Sequence, residues 1–230
     1  MRQLLIDTCT ERGFIAYHAG STFLFAQELP FGLHQSQALM PQLAEACTRF
    51  SIGAEQVDCI GVAIGPGSYT GIRIGVSVAQ ALAFAWQRPL VGVCSLNALV
   101  PEEVGVRFAA ILDARIGGVY LRKGISHAHG VEFLSVPMVC SLAEAAIELQ
   151  DVTHLVTPHA TNLRLKLEGT WQWQERSPSI PLFASLVETA FQQGAWLKEG
   201  HLELLYLRET EAEREKAKKQ ATGEMFSIDK

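Results

Sequence analysis

Residues 63–75, AIGPGSYTGIRIG, set four glycines, Pro66, Ser68, Thr70 and Arg73 between an apolar run and a helical one. Strand, glycine turn and helix, in that order, present backbone amides and a positive helix end to an anion. Glycine permits close backbone approach, and the Ser68 and Thr70 hydroxyls can donate or cap. Arg73 can pair with a phosphate or carboxylate. Gly65, Gly67, Ser68, Thr70, Gly71 and Arg73 are therefore candidate nucleotide- or anion-binding residues, with a purely structural turn as the competing reading. The common nucleotide fingerprints are missing. A P-loop needs a lysine after its last glycine, and no lysine precedes Lys123. A dinucleotide loop needs G-x-G-x-x-G and an acidic residue about 20 positions on. Here the spacing is Gly65-x-Gly67-x-x-x-Gly71, and WQRPLVGVCS downstream holds neither Asp nor Glu.

Other groups that do chemistry are sparse. Ser68 lacks the G-x-S-x-G context of a nucleophile elbow. The seven histidines include no pair at i, i+4, and none lies between His34 and His127. His154 and His159 straddle Pro158, a poor chelating geometry, so no metal site is expected. Asp7 and Asp113 each end an apolar run before a tight turn. Such an aspartate either caps the turn or helps hold a metal-bound nucleotide. The five cysteines are scattered, without C-x-x-C, and read as small hydrophobes in a reducing compartment.

The net charge of −5 and the pI near 5.8 exclude a broad basic surface that grips nucleic acid alone. Only three apolar residues separate Gln3 from Asp7, too few for a signal-peptide core. The low-charge run 74–87 is about half of a bilayer span. A cytoplasmic protein that avoids membranes is expected.

Three strands are predicted at 4–8, 13–19 and 21–29, rich in Ile, Phe and Tyr and joined by short turns. A helix follows from Leu33, interrupted or restarted at Pro41. Residues 57–65 read as a central strand, 72–87 as a helix apolar almost all round, and 88–95 as another buried strand. The pattern then restarts, with strands at 106–115, 117–124 and 131–138. Ser141 and Glu144 form a capping box on a helix over 141–150, and a strand follows at 153–158. A last helix within 179–200 would place Leu182, Leu186, Ala190 and Trp196 near one face. LLIDTCTERGFIAY and AAILDARIGGVYL open the halves alike, so Asp7 and Asp113 are equivalent positions of a tandem duplication. This divides the chain into lobes 1–103 and 104–208 and a charged tail, 209–230.

LLIDT, GPGSYTGIRIG, ILDAR and YLR at 206–208 occur in the order found in the bacterial TsaB (YeaZ) family, which this sequence resembles over residues 1–210. The resemblance implies an α/β, actin-like (ribonuclease H-like) fold of two β-β-β-α-β-α lobes. It also implies a role in making threonylcarbamoyladenosine, beside the anticodon of tRNAs reading ANN codons. In that family TsaB is the obligatory, non-catalytic partner of the TsaD transferase, and the ATPase TsaE joins the assembly. tRNA then engages the complex, and TsaB pairs with itself when TsaD is absent.

TsaD is a paralogue whose metal-binding H-x-x-x-H falls where this chain has Ser95 and Leu99, which argues against the transferase itself. The alternative reading is an enzyme of the same superfamily, a nucleotide-dependent transferase or glycoprotease-type hydrolase. No tightly bound cofactor is expected; ATP or ADP would bind weakly or through the complex. The family places the partner contact on first-lobe helices, and small residues on 72–87 permit close helix approach. Gln37, Met40, Val76, Ala79, Gln80 and Ala83 are the interface candidates. A bulky charge at Ala79 or Ala83 should then abolish partner binding and leave the fold intact.

Overall fold

The structure is a computed structural model that describes residues 1–115, 118–197 and 202–207. Strand β1 (Arg2–Asp7) is buried from Gln3 onward, as a strand covered on both faces must be. It pairs antiparallel with β2 (Phe14–Ala19), which pairs antiparallel with β3 (Thr22–Glu28). Helix α1 (Gln35–Arg49) then crosses to β4 (Cys59–Ala63), parallel to β1. Helix α2 (Tyr69–Trp86) leads to β5 (Leu90–Val93), parallel to β4. The sheet order is β3-β2-β1-β4-β5. Helix α1 runs through Pro41 without a break, contrary to the expected interruption. Leu39 and Leu43 are buried on either side of Pro41, so core packing holds the helix across the lost hydrogen bond.

The second sheet repeats the first. Strand β6 (Arg107–Asp113) pairs antiparallel with β7 (Gly118–His127). The third place is shared by β8 (Gly130–Phe133) and β9 (Met138–Ser141), on different stretches of β7. The single strand expected over 131–138 is therefore two. Helix α3 (Leu142–Glu148), capped by Ser141 and Glu144 as the spacing predicts, leads to β10 (His154–Thr157). Helix α4 (Thr161–Lys166) and β11 (Gln172–Glu175) complete the order β11-β10-β6-β7-β8. Both sheets carry the actin-like, ribonuclease H-like order that the family resemblance implies, and the duplication fits it.

The chain then returns to the first sheet. Helix α5 (Ile180–Gln192) buries Phe183, Ala184 and Val187 in the first core, with Phe183 edge-on to Phe14 at 5.3 Å. The buried stripe therefore runs through Phe183 and Val187 rather than Leu182 and Leu186, and Trp196 is exposed. Leu197 bridges to Leu90 at the β5 edge, and Leu202 and Leu204 pack on the first core. Residues 180–197 and 202–205, placed with the second lobe by the sequence pattern, thus cover the first. Helices α2 and α5 take opposite faces of the first sheet. A side chain on Gly75 would touch Ile6, and one on Gly61 would meet Leu5 and Val187. Successive strand residues point to opposite faces, which fixes that assignment. The tail from Glu209 lies outside the described residues, and no helix among them is long and apolar enough to cross a membrane.

Candidate functional site

The glycine segment sits where β4 ends and α2 begins, against the turn after β1. The Ser68 hydroxyl caps α2 by accepting from the Gly71 amide at 3.2 Å. At the far end Gln87 is left-handed (φ 53°) and Pro89 follows shortly, which stops the helix. The Ser68 amide donates to the Cys9 carbonyl at 2.7 Å, and the Thr8 hydroxyl donates to the Gly71 carbonyl at 2.6 Å. The Ser95 amide donates to the Gly65 carbonyl at 2.8 Å, and the Ser95 hydroxyl donates to that of Pro66.

The glycines are needed because other parts of the chain approach them closely. A Cβ on Gly67 would overlap the Cys9 carbonyl, one on Gly71 the Thr8 carbonyl, and one on Gly75 the Thr8 hydroxyl. Thr70 stays exposed at the helix start. Arg73 lies on the outer face, 4.3 Å from the centre of the Tyr69 ring, and donates to the Tyr206 hydroxyl at 3.3 Å. The Leu205 amide donates to the Ile64 carbonyl at 2.9 Å, so the segment before the tail is strapped to the same loop. Arg73 and Tyr206 are 133 residues apart, so no local sequence signal links them.

The two strand-end aspartates are equivalent in backbone role and opposite in surroundings. Each accepts from the amide two residues on: Cys9 to Asp7 at 2.7 Å, Arg115 to Asp113 at 2.8 Å. Both therefore cap their turns. Asp7 is wholly buried and its second oxygen has no hydrogen-bond partner. Burial raises its carboxyl from 3.8 to about 6, against the opposing effect of the Cys9 amide. Burial also pushes the neighbouring Cys9 thiol up, with the Asp7 charge adding to it. Asp113 instead holds Lys166 Nζ at 2.8 Å from both oxygens. Between the lobes, beside Asp113, lies a cleft of about 290 Å³ whose walls include Glu11, Arg115, Thr157, His159 and Asn162.

Arg12 closes this side, donating to the Pro158 carbonyl at 2.8 Å and pairing with Glu175 at 3.0 Å. The Ala160 amide and then Arg12 hold the Glu175 carboxyl below its usual range. Among the described residues, no three His, Cys, Asp or Glu side chains converge on one point. All five cysteines are free; Cys9 and Cys59 are buried, the others half-buried.

The expected interface residues separate into two groups. Val76, Ala79 and Ala83 are 3%, 0% and 5% exposed and face the chain's own sheet, so they offer nothing to a partner. The small stripe Gly75, Ala79, Ala83 exists to let α2 approach that sheet. Gln37 and Met40 are exposed on α1, and Gln80 is half-buried on α2. The outer face of α2 is instead Arg73, Ser77, Ala81 and Phe84, and Phe84 is 75% exposed.

A family model described as TsaD, tRNA N6-adenosine threonylcarbamoyltransferase, matches residues 32–160, more than half of the chain. The tRNA threonylcarbamoyladenosine biosynthesis protein TsaB of Escherichia coli is 31% identical over 149 residues, 60% of this chain and 64% of that protein. Its Haemophilus influenzae counterpart is 30% identical over 162 residues, 64% of this chain and 67% of the relative. A solved structure from Pseudomonas aeruginosa, of an uncharacterized protein with similarity to peptidase YeaZ, superposes with TM-score 0.77. It covers 90% of this chain and 99% of its own at 24% identity, a likeness of fold. With the duplicated sheets and the glycine segment, these matches establish that the chain belongs to the TsaB (YeaZ) family, within the wider family that the TsaD model describes.

Proposed function

We propose that this chain serves tRNA threonylcarbamoyladenosine biosynthesis as the non-catalytic partner of a TsaD-type transferase. A TsaE-type ATPase joins the assembly, and tRNA is engaged through the complex. The names of the curated relatives support the pathway. The observation that carries the partner role is the outer face of α1 and α2, where Met40 is 50% and Phe84 75% exposed. Helix α1 packs beside α2, so the two present one surface. An aromatic anchor among small and polar residues suits a helix–helix contact. Gln37, Met40, Gln80 and Phe84 form that contact, and a second copy of the chain occupies it when the transferase is absent.

The glycine loop launches α2 and holds no tight nucleotide of its own. The Thr8–Cys9 backbone packs directly against Gly67 and Gly71, which gives these glycines a role within the chain itself. ATP or ADP, where it participates, binds weakly or through the complex.

The test is reconstitution with TsaD-type and TsaE-type proteins, ATP, threonylcarbamoyl-AMP and tRNA. Transfer should need both this chain and the transferase. Phe84→Glu should weaken transferase binding by roughly 30-fold or more and leave the circular dichroism spectrum unchanged. Robust transfer by this chain alone overturns the partner reading.

A further inference from the structure

Helix α2 carries a single charged side chain, Arg73, and that side chain is exposed. Its guanidinium lies 4.3 Å from the centre of the Tyr69 ring, and its Nε donates to the Tyr206 hydroxyl at 3.3 Å. The two tyrosine rings stand 5.5 Å apart. Tyr206 is fixed there because the Leu205 amide donates to the Ile64 carbonyl and Leu204 packs on the first core. Among the described residues no carboxylate pairs with Arg73, and its two terminal nitrogens meet no acceptor. Given the partner role proposed for the chain, on which this step rests, we infer that the Tyr69–Arg73–Tyr206 cluster binds a carboxylate of the transferase-type partner. It thereby selects that partner over a second copy of this chain.

The geometry suits a carboxylate. With Nε engaged by Tyr206 and one face of the guanidinium on Tyr69, the edge bearing Nη1 and Nη2 is left for a bidentate pair. A side chain fixed in this way loses less freedom on binding than an untethered arginine. Tyr69 and Tyr206 are 44% and 39% exposed, so both rings can shield the pair from water. Arg73 and Phe84 are eleven residues apart on α2, which puts them on one side of the helix about 16 Å from each other. Exposed Ser77 and Ala81 lie between them, with half-buried Gln80. A partner helix laid on this stripe meets an aromatic anchor at one end and a cationic one at the other.

Charge separates the two occupants. The whole chain is at −5, yet α1 and α2 together hold two arginines, Arg49 and Arg73, and one carboxylate, Glu45. Such a face is complementary to an acidic surface. A second copy brings Arg73 again and no carboxylate on α2, so α2 packed on α2 buries a guanidinium without a counter-charge. The one carboxylate that these two helices offer in return is Glu45, on α1.

The test uses the purified full chain and a TsaD-type transferase from the same source. Arg73→Gln should weaken transferase binding about tenfold by isothermal titration calorimetry. The same variant should strengthen self-association about tenfold by sedimentation equilibrium. These opposite changes are not expected of a residue that only supports the fold. Arg73→Lys keeps the charge and loses the fork, so it should not restore transferase binding. Tyr206→Phe, which frees the guanidinium while keeping the ring, should weaken that binding about fivefold. Raising the salt should erode the parent's affinity more steeply than that of Arg73→Gln. Circular dichroism of each variant should match the parent, since Arg73 and Tyr206 are both exposed. Unchanged transferase binding by Arg73→Gln, beside a clear loss with Phe84→Glu, overturns this inference and leaves the partner role standing. Unchanged binding with Phe84→Glu overturns both. Equal weakening of the two associations by Arg73→Gln, or loss of self-association with Glu45→Gln, overturns the selection between partners.

Discussion

Asp7 offers a quantitative test of how the first lobe is built. Its side chain is fully buried at the end of β1, with one oxygen accepting from the Cys9 amide at 2.7 Å and the other unpartnered. Burial lifts its carboxyl from 3.8 to about 6. A group whose folded value is raised contributes stability that is complete below its unfolded value and lost as pH rises through the folded one. At 1.36 kcal/mol per pK unit, the ionised carboxylate therefore costs about 3 kcal/mol at neutral pH. Asp7→Asn keeps the oxygen that caps the turn and removes the charge. Its buried NH2 lacks an acceptor, which costs about 1–2 kcal/mol at every pH.

The net gain at neutral pH is thus about 1–2 kcal/mol, or roughly 2–8 °C in Tm for a chain of this size. The pH trend is the sharper readout, because the cost of the orphaned amide does not titrate. Thermal melts of the parent and variant from about pH 4 to about pH 8 should show the difference swing by roughly 2.5 kcal/mol in favour of Asn, centred near pH 5. Other titrating groups cancel in the difference. A difference that stays flat across this range would refute the claim that a buried, poorly solvated carboxylate sits at the end of β1.

Two further outcomes follow from the packing of α2. Gly71→Ala should destabilise the chain by about 2 kcal/mol or more, although alanine is the better helix former by about 1 kcal/mol. An added Cβ would lie well under 3.0 Å from the Thr8 carbonyl, and urea titration measures the loss. Ala79→Arg should unfold or aggregate the chain, because Ala79 is 0% exposed against its own sheet. A folded, monomeric Ala79→Arg variant by size exclusion and circular dichroism would show that α2 packs on a different face.

Much of the architecture was readable from local pattern. Short β-rich runs joined by tight turns marked the strands, and the Ser141–Glu144 spacing marked the α3 cap that is observed. The repeated apolar run ending in aspartate revealed the duplication, since both copies perform the same turn-capping task. The candidate site was legible only as composition. Four glycines announce close approach but do not name what approaches; here it is Thr8 and Cys9 at Gly67, Gly71 and Gly75, and Ile72 with the Leu205 carbonyl at Gly65. The burial of Val76, Ala79 and Ala83 went unread because α2 is apolar nearly all round, so periodicity alone could not choose the inward face.

The amino-acid sequence by itself determined the strand and helix order, the internal repeat and the family, because these rest on spacings within a few residues. Tertiary structure decided everything that depends on distant pairs. It brought α5 back to the first sheet, joined Arg73 to Tyr206 and Arg12 to Glu175, and neutralised Asp113 with Lys166 while leaving Asp7 buried without a counter-charge. The reason is physical. A residue's propensity is local, but its burial, charge partner and exposed face are set by whichever segment the folded chain places beside it.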